Sequence, residues 1–148
     1  MEFYFLDQSK FELTNYSYRD FDTITSKFGY EQAKNKLLHN YFDWTKLQHW
    51  AFRYEPYTDL ELSELFKKTE IFKDSISFIV RLLHHLPLIQ VNALNLSTML
   101  EDLCYESGMG WEAISVCGKY IMEFTDSYEY MAKSNFEIFP GSLWCSHS

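Results

Sequence analysis

From Ile76 to Leu86 the chain carries Ile76, Phe78, Ile79, Val80, Leu82, Leu83 and Leu86, interrupted only by Ser77, Arg81, His84 and His85. A segment this apolar has to lie inside, and the remainder of the chain has to cover it. At helical spacing, Asp74 caps a helix that runs to Leu86, where Pro87 stops it. Apolar side chains then wrap most of the circumference, which predicts a central buried helix with one polar stripe of Ser77, Arg81, His84 and His85. The longer stretch from Ile76 to Val91 is too short and too often broken by polar residues to span a bilayer.

Other helices follow from caps and periodicity. Ser17 and Asp20 open a segment in which Phe21, Ile24 and Phe28 recur at helical spacing, and Gly29 ends it. Tyr30, Ala33, Leu37, Tyr41, Trp44, Leu47, Ala51 and Tyr54 predict one helix of about seven turns, or two broken near Asn40 to Asp43. Thr58 and Glu61 form a capping box, flanked by the staple pair Tyr57 and Leu62, ahead of Leu65, Phe66 and Phe72. Leu96, Met99, Leu100, Leu103 and Cys104 mark a helix ending at Gly108 in a left-handed cap. Trp111, Ile114, Gly118 and Ile121 mark the next, and Asp126 opens a last one through Tyr128, Met131 and Ala132. Residues 1–16 form an arm in which Phe3 and Phe5 alternate with Tyr4 and Leu6, as a short strand or a buried extended segment; residues 142–148 read as a frayed tail. The fold class expected is therefore all-α: a single domain, residues 1–148, of about six or seven helices with a short β element allowed at the N-terminus.

Within this pattern the stretch from Leu103 to Met122 resembles one tetratricopeptide-type helix hairpin, through Tyr105, Gly108, Trp111, Glu112, Ala113, Ile114, Lys119 and Tyr120. No second copy stands at the period of about 34 residues that such arrays need, so the expectation is a generic antiparallel helix pair.

Composition narrows the function classes. The formal net charge is -8, from 13 Lys and Arg against 21 Asp and Glu, and the pI is about 5.0. Binding to nucleic acid or to an anionic membrane surface requires a basic face, which this balance argues against. An acidic protein suits a basic protein partner instead. Aromatic residues make up 19% of the chain, including 11 Tyr, a residue that serves binding surfaces as well as cores. The first residues, Met1 to Asp7, lack the features of a signal peptide. Cys104, Cys117 and Cys145 have no zinc or redox spacing and read as reduced thiols. A cytoplasmic location is expected, and the sequons at Asn15 and Asn95 then carry no meaning.

No phosphate-loop, dinucleotide, nucleophile-elbow or zinc-protease motif is present. No catalytic residue, metal ligand or cofactor is expected, and the chain reads as a non-enzyme. His39 and Asp43 stand one helical turn apart and read as a surface pair, while neighbouring His84 and His85 diverge by about 100° on a helix. Two groups remain as candidate binding residues. Asp59, Glu61, Glu64 and Glu70 on one helix, with Glu101, Asp102 and Glu106 on another, form acidic faces for a protein partner. Arg81 with His84 and His85, one turn apart, forms the alternative: a site for a small anion.

In size, acidity and aromatic content across its whole length, the chain is similar to bacterial immunity proteins of the contact-dependent growth inhibition and polymorphic-toxin type. That resemblance implies inhibition of a basic toxin, such as a nuclease, by tight binding, with no residue role carried over. A phage-encoded inhibitor of a host defence enzyme would follow the same physics.

Overall fold

The computed structural model describes residues 3–34, 41–43, 50–53, 76–108, 110–124 and 129–133. After a 3-10 turn at Gln8–Lys10, the elements are β1 (Glu12–Leu13), α1 (Asp20–Lys27), β2 (Trp50–Arg53), β3 (Ser77–Arg81), β4 (Ile89–Asn92), α2 (Ala93–Ser97), α3 (Leu100–Ser107), β5 (Trp111–Ser115), β6 (Ile121–Phe124) and β7 (Glu129–Lys133). The strands form one sheet in the order β1-β4-β3-β5-β6-β7-β2, and every neighbouring pair is antiparallel.

This architecture overturns the all-α expectation. A seven-stranded sheet replaces the bundle, and three α-helices lie among the described residues. The centre of the error is the apolar run itself. Its interior is β3, which is covered on both faces: Phe78 and Val80 enter one core, and Ile79 enters the other. A strand buried on both sides is apolar all round, as a buried helix is, so periodicity cannot separate the two. The β-branched and aromatic content of Phe78, Ile79 and Val80 favours the strand. Leu83 to Leu86 form the turn into β4, with the Leu86 N–H donating to the Leu83 carbonyl at 3.0 Å.

The tetratricopeptide-like pair is likewise half helix. Its first member is α3, which ends at Gly108 with φ +74. Its second is the hairpin β5–β6. Gly118, which falls inside the expected helix, sits in the hairpin turn with φ +78, and a Cβ there would collide with the Phe28 ring. Of the helical reading of residues 30–54, the described residues show an isolated bridge between Gln32 and Phe42 and β2 instead, while Leu37, Trp44, Leu47 and Tyr54 lie outside the described residues. At Met131 and Ala132 the expected last helix gives way to β7, while Asp126 and Tyr128 lie outside the described residues. The capping-box helix from Thr58 lies outside the described residues. α1 stands where its spacing placed it, with the Asp20 carboxylate accepting from the Ser17 N–H at 2.7 Å.

The sheet separates two cores. On one face Phe78, Val80, Ile89, Val91, Trp111, Ala113 and Met122 pack with Leu96, Met99, Leu100 and Leu103 of the α2–α3 connection and with Leu6 of the arm. On the other, Ile79, Leu88, Ile114 and Ile121 pack with Phe21 of α1, Tyr30 and Phe42. Pairing register places Arg81 opposite Glu112, and Glu112 opposite Glu123. A polar row therefore crosses the second face at the end of that core.

Candidate functional site

Arg81 ends β3 and is only 7% exposed. Its Nε donates to the Glu112 carboxylate at 3.0 Å, and its Nη1 to Asp22 of α1 at 3.3 Å. The guanidinium lies 4.4 Å from the Tyr18 ring centre and 4.2 Å from that of Tyr41, with Phe21 at 5.0 Å. Tyr41 donates its hydroxyl hydrogen bond to the same Asp22 oxygen at 2.6 Å. Burial works against the charge on Arg81, but Glu112, Tyr18 and Tyr41 outweigh it and hold the guanidinium more firmly protonated than usual. Burial pushes the Glu112 carboxyl above its ordinary range, with Arg81 pulling the other way. Burial, then the hydrogen bond to Asp22, raises the Tyr41 phenol.

This arrangement leaves Arg81 poorly placed for an incoming anion, because two carboxylates already face it. His84 and His85 do not join it in a polar stripe. They are exposed in the β3–β4 turn, and the contact of His84 in this region is an edge-on approach to the Tyr18 ring. The stripe spacing belonged to a helix that is not there.

Of the acidic group, Asp59, Glu61, Glu64 and Glu70 lie outside the described residues. Glu101, Asp102 and Glu106 all lie on α3 but do different things. Glu106 is only 6% exposed and points inward. Its carboxylate accepts from the backbone N–H groups of Phe5 at 3.0 Å, Leu6 at 3.3 Å and Tyr4 at 3.3 Å. A carboxylate can leave water only when such donors replace it. Glu106 is thus a clasp for the arm, not a surface charge. Glu123 does the same on the opposite face, accepting from the N–H groups of Tyr41 and Phe42.

Glu101 and Asp102 occupy the first turn of α3, where the helix dipole favours negative charge, and both remain partly open to solvent. The Glu101 carboxylate accepts from the Tyr105 hydroxyl at 2.7 Å. Partial burial, then the neighbouring Glu101, raises the Asp102 carboxyl, with Lys10 opposing. The arm held by Glu106 displays Tyr4, 79% exposed, and Phe5, 53% exposed, while α3 itself displays Tyr105, 57% exposed. The Phe5 and Tyr105 rings lie 5.6 Å apart at 37°. Tyr4 and Phe5 were not among the sequence-derived site residues. The alternation of Phe3 to Leu6 signalled an arm, but only the position of Glu106 reveals which side chains the arm turns outward.

Neither a family model, nor a curated protein, nor a solved structure matches this chain.

Proposed function

We propose that this protein works by binding another protein, a basic one, and that it acts as an inhibitor of the immunity type expected from its size and charge. The observation that supports this reading is the division of labour among the carboxylates. Glu106, Glu112 and Glu123 are engaged inside the fold, whereas Glu101 and Asp102 stand with two exposed aromatic side chains: Tyr105, whose hydroxyl meets Glu101, and Phe5, whose ring meets Tyr105 on an arm held in place. Exposed large aromatic side chains grouped with charge mark interaction surfaces, because they bury much area with few rotatable bonds. Inhibition would follow from covering the active or substrate-binding surface of a basic toxin, with complementary charge speeding the encounter.

The test is capture from the native host with the tagged full chain, at low and at high salt, with identification of what is retained. One basic protein held in stoichiometric amount and released by salt supports the reading. Retention of no protein, or of partners indifferent to Glu101→Lys, refutes it.

A further inference from the structure

Resting on that reading, we infer that the patch of Phe5, Tyr105, Glu101 and Asp102 receives an arginine side chain of the partner. The fold supplies its own template for such a site. Arg81 lies against the Tyr18 and Tyr41 rings while Asp22 and Glu112 take its N–H groups. There the ring and the carboxylate are joined before either meets the cation, since the Tyr41 hydroxyl donates to Asp22. At the surface the same unit recurs. The Tyr105 hydroxyl donates to Glu101, the Phe5 ring leans on Tyr105, and Asp102 adjoins as the second carboxylate.

Physical chemistry favours arginine over lysine at such a patch. A guanidinium is planar, weakly hydrated and able to stack on a ring through its face while donating from its edge to a carboxylate. The hydrogen bond from Tyr105 orients Glu101, and the clasp of Glu106 on the Phe5 N–H orients the arm. Little ordering remains to be done on binding. Glu101 and Asp102 repel one another, and an arriving cation relieves that repulsion. Lys10, the basic group that bears on Asp102, has its ammonium directed to the Thr98 hydroxyl at 3.2 Å.

The experiment titrates the full chain, followed by amide resonances of residues 4–6 and 101–106, with two short peptides identical but for arginine or lysine at the basic positions. Wild type should bind the arginine peptide about twofold to fivefold more tightly, with the largest shifts at Phe5 and Tyr105. Tyr105→Ala, at an exposed position, should leave the fold intact by circular dichroism and abolish the preference. Glu101→Gln should weaken both peptides. Equal affinity for the two peptides, or a preference that survives Tyr105→Ala, overturns the inference. Whether the host yields a basic partner decides the broader reading separately, since the peptides do not depend on it.

Discussion

At the scale of single residues, the side chains with the largest consequences are those that polar groups hold inside the fold. The Arg81 side chain is 8% exposed, and those of its partners Glu112 and Asp22 are 18% and 45% exposed. The Asp22 contact is therefore screened and contributes little, while the Glu112 contact is not. Arg81→Ala leaves Glu112 buried without its cation and should cost about 3 kcal/mol, read by urea denaturation. Replacing Arg81 and Glu112 together by leucine should recover most of that loss. A loss no larger than that of an ordinary surface substitution would show that the pair is not desolvated. Cys117 offers a second residue-level test. It is exposed in the β5–β6 turn; partial burial raises its thiol, but hydrogen bonds from Ser115 and from backbone N–H groups prevail and lower it below the ordinary value. Cys104 is half-buried, and its thiol donates to the Leu100 carbonyl at 3.2 Å. Because the thiolate is the reacting form, iodoacetamide at neutral pH should label Cys117 well before Cys104, as peptide mapping would show. Equal rates would contradict the turn geometry.

At the scale of elements, two glutamates anchor segments that lack regular structure of their own. Glu106 on α3 holds residues 4–6, and Glu123 on β6 holds Tyr41 and Phe42. Glu106→Gln removes the charge and puts an N–H donor where one oxygen accepted. Undocking of the arm should become easier by about 1–3 kcal/mol. Hydrogen exchange of the amides of residues 4–6 should accelerate while that of β3 and β5 does not; unchanged protection would mean the clasp is not what holds the arm. The elements also show how much local pattern could reveal. α1 was legible because a cap, a periodic apolar face and a terminal glycine agree over eight residues. The Gly108 end of α3 was legible for the same reason. β3, β5 and β6 were not, because strands packed on both sides lose the polar–apolar alternation that identifies them. Trp111, Ile114, Gly118 and Ile121 match helical spacing by chance, with Gly118 serving the turn and Trp111 and Ile114 facing opposite cores.

At the scale of the whole molecule, the sheet joins segments distant in the chain. β2 closes one edge against β7, with Trp50 opposite Ala132, and β1 closes the other against β4, with Glu12 opposite Gln90. The polar row of Arg81, Glu112 and Glu123 exists only because β3, β5 and β6 are aligned side by side, and α1 brings Asp22 to it. This coupling has a pH signature. Because the Glu112 carboxyl is raised in the folded protein, the native state holds that proton more tightly than the unfolded chain does. Its contribution to stability is full below the ordinary glutamate range and is lost as pH rises through the raised folded value. Subtracting the pH–stability curve of Glu112→Gln from that of wild type should give a difference that falls across that window. A difference that is flat, or that rises, would place Glu112 in water.

The sequence by itself determined the acidic surplus and the aromatic richness. It also determined the position of α1, the end of α3 at Gly108 and the necessity of burying the segment around Phe78 to Val80. These are local or additive properties, readable from composition, caps and hydrophobicity. Only the tertiary structure decided that the buried segment is a strand, since burial on both faces erases the period that separates strand from helix. Only it decided which carboxylates face water. Glu101, Asp102 and Glu106 are alike on paper, and what separates them is whether a distant backbone N–H comes within reach to replace the solvent.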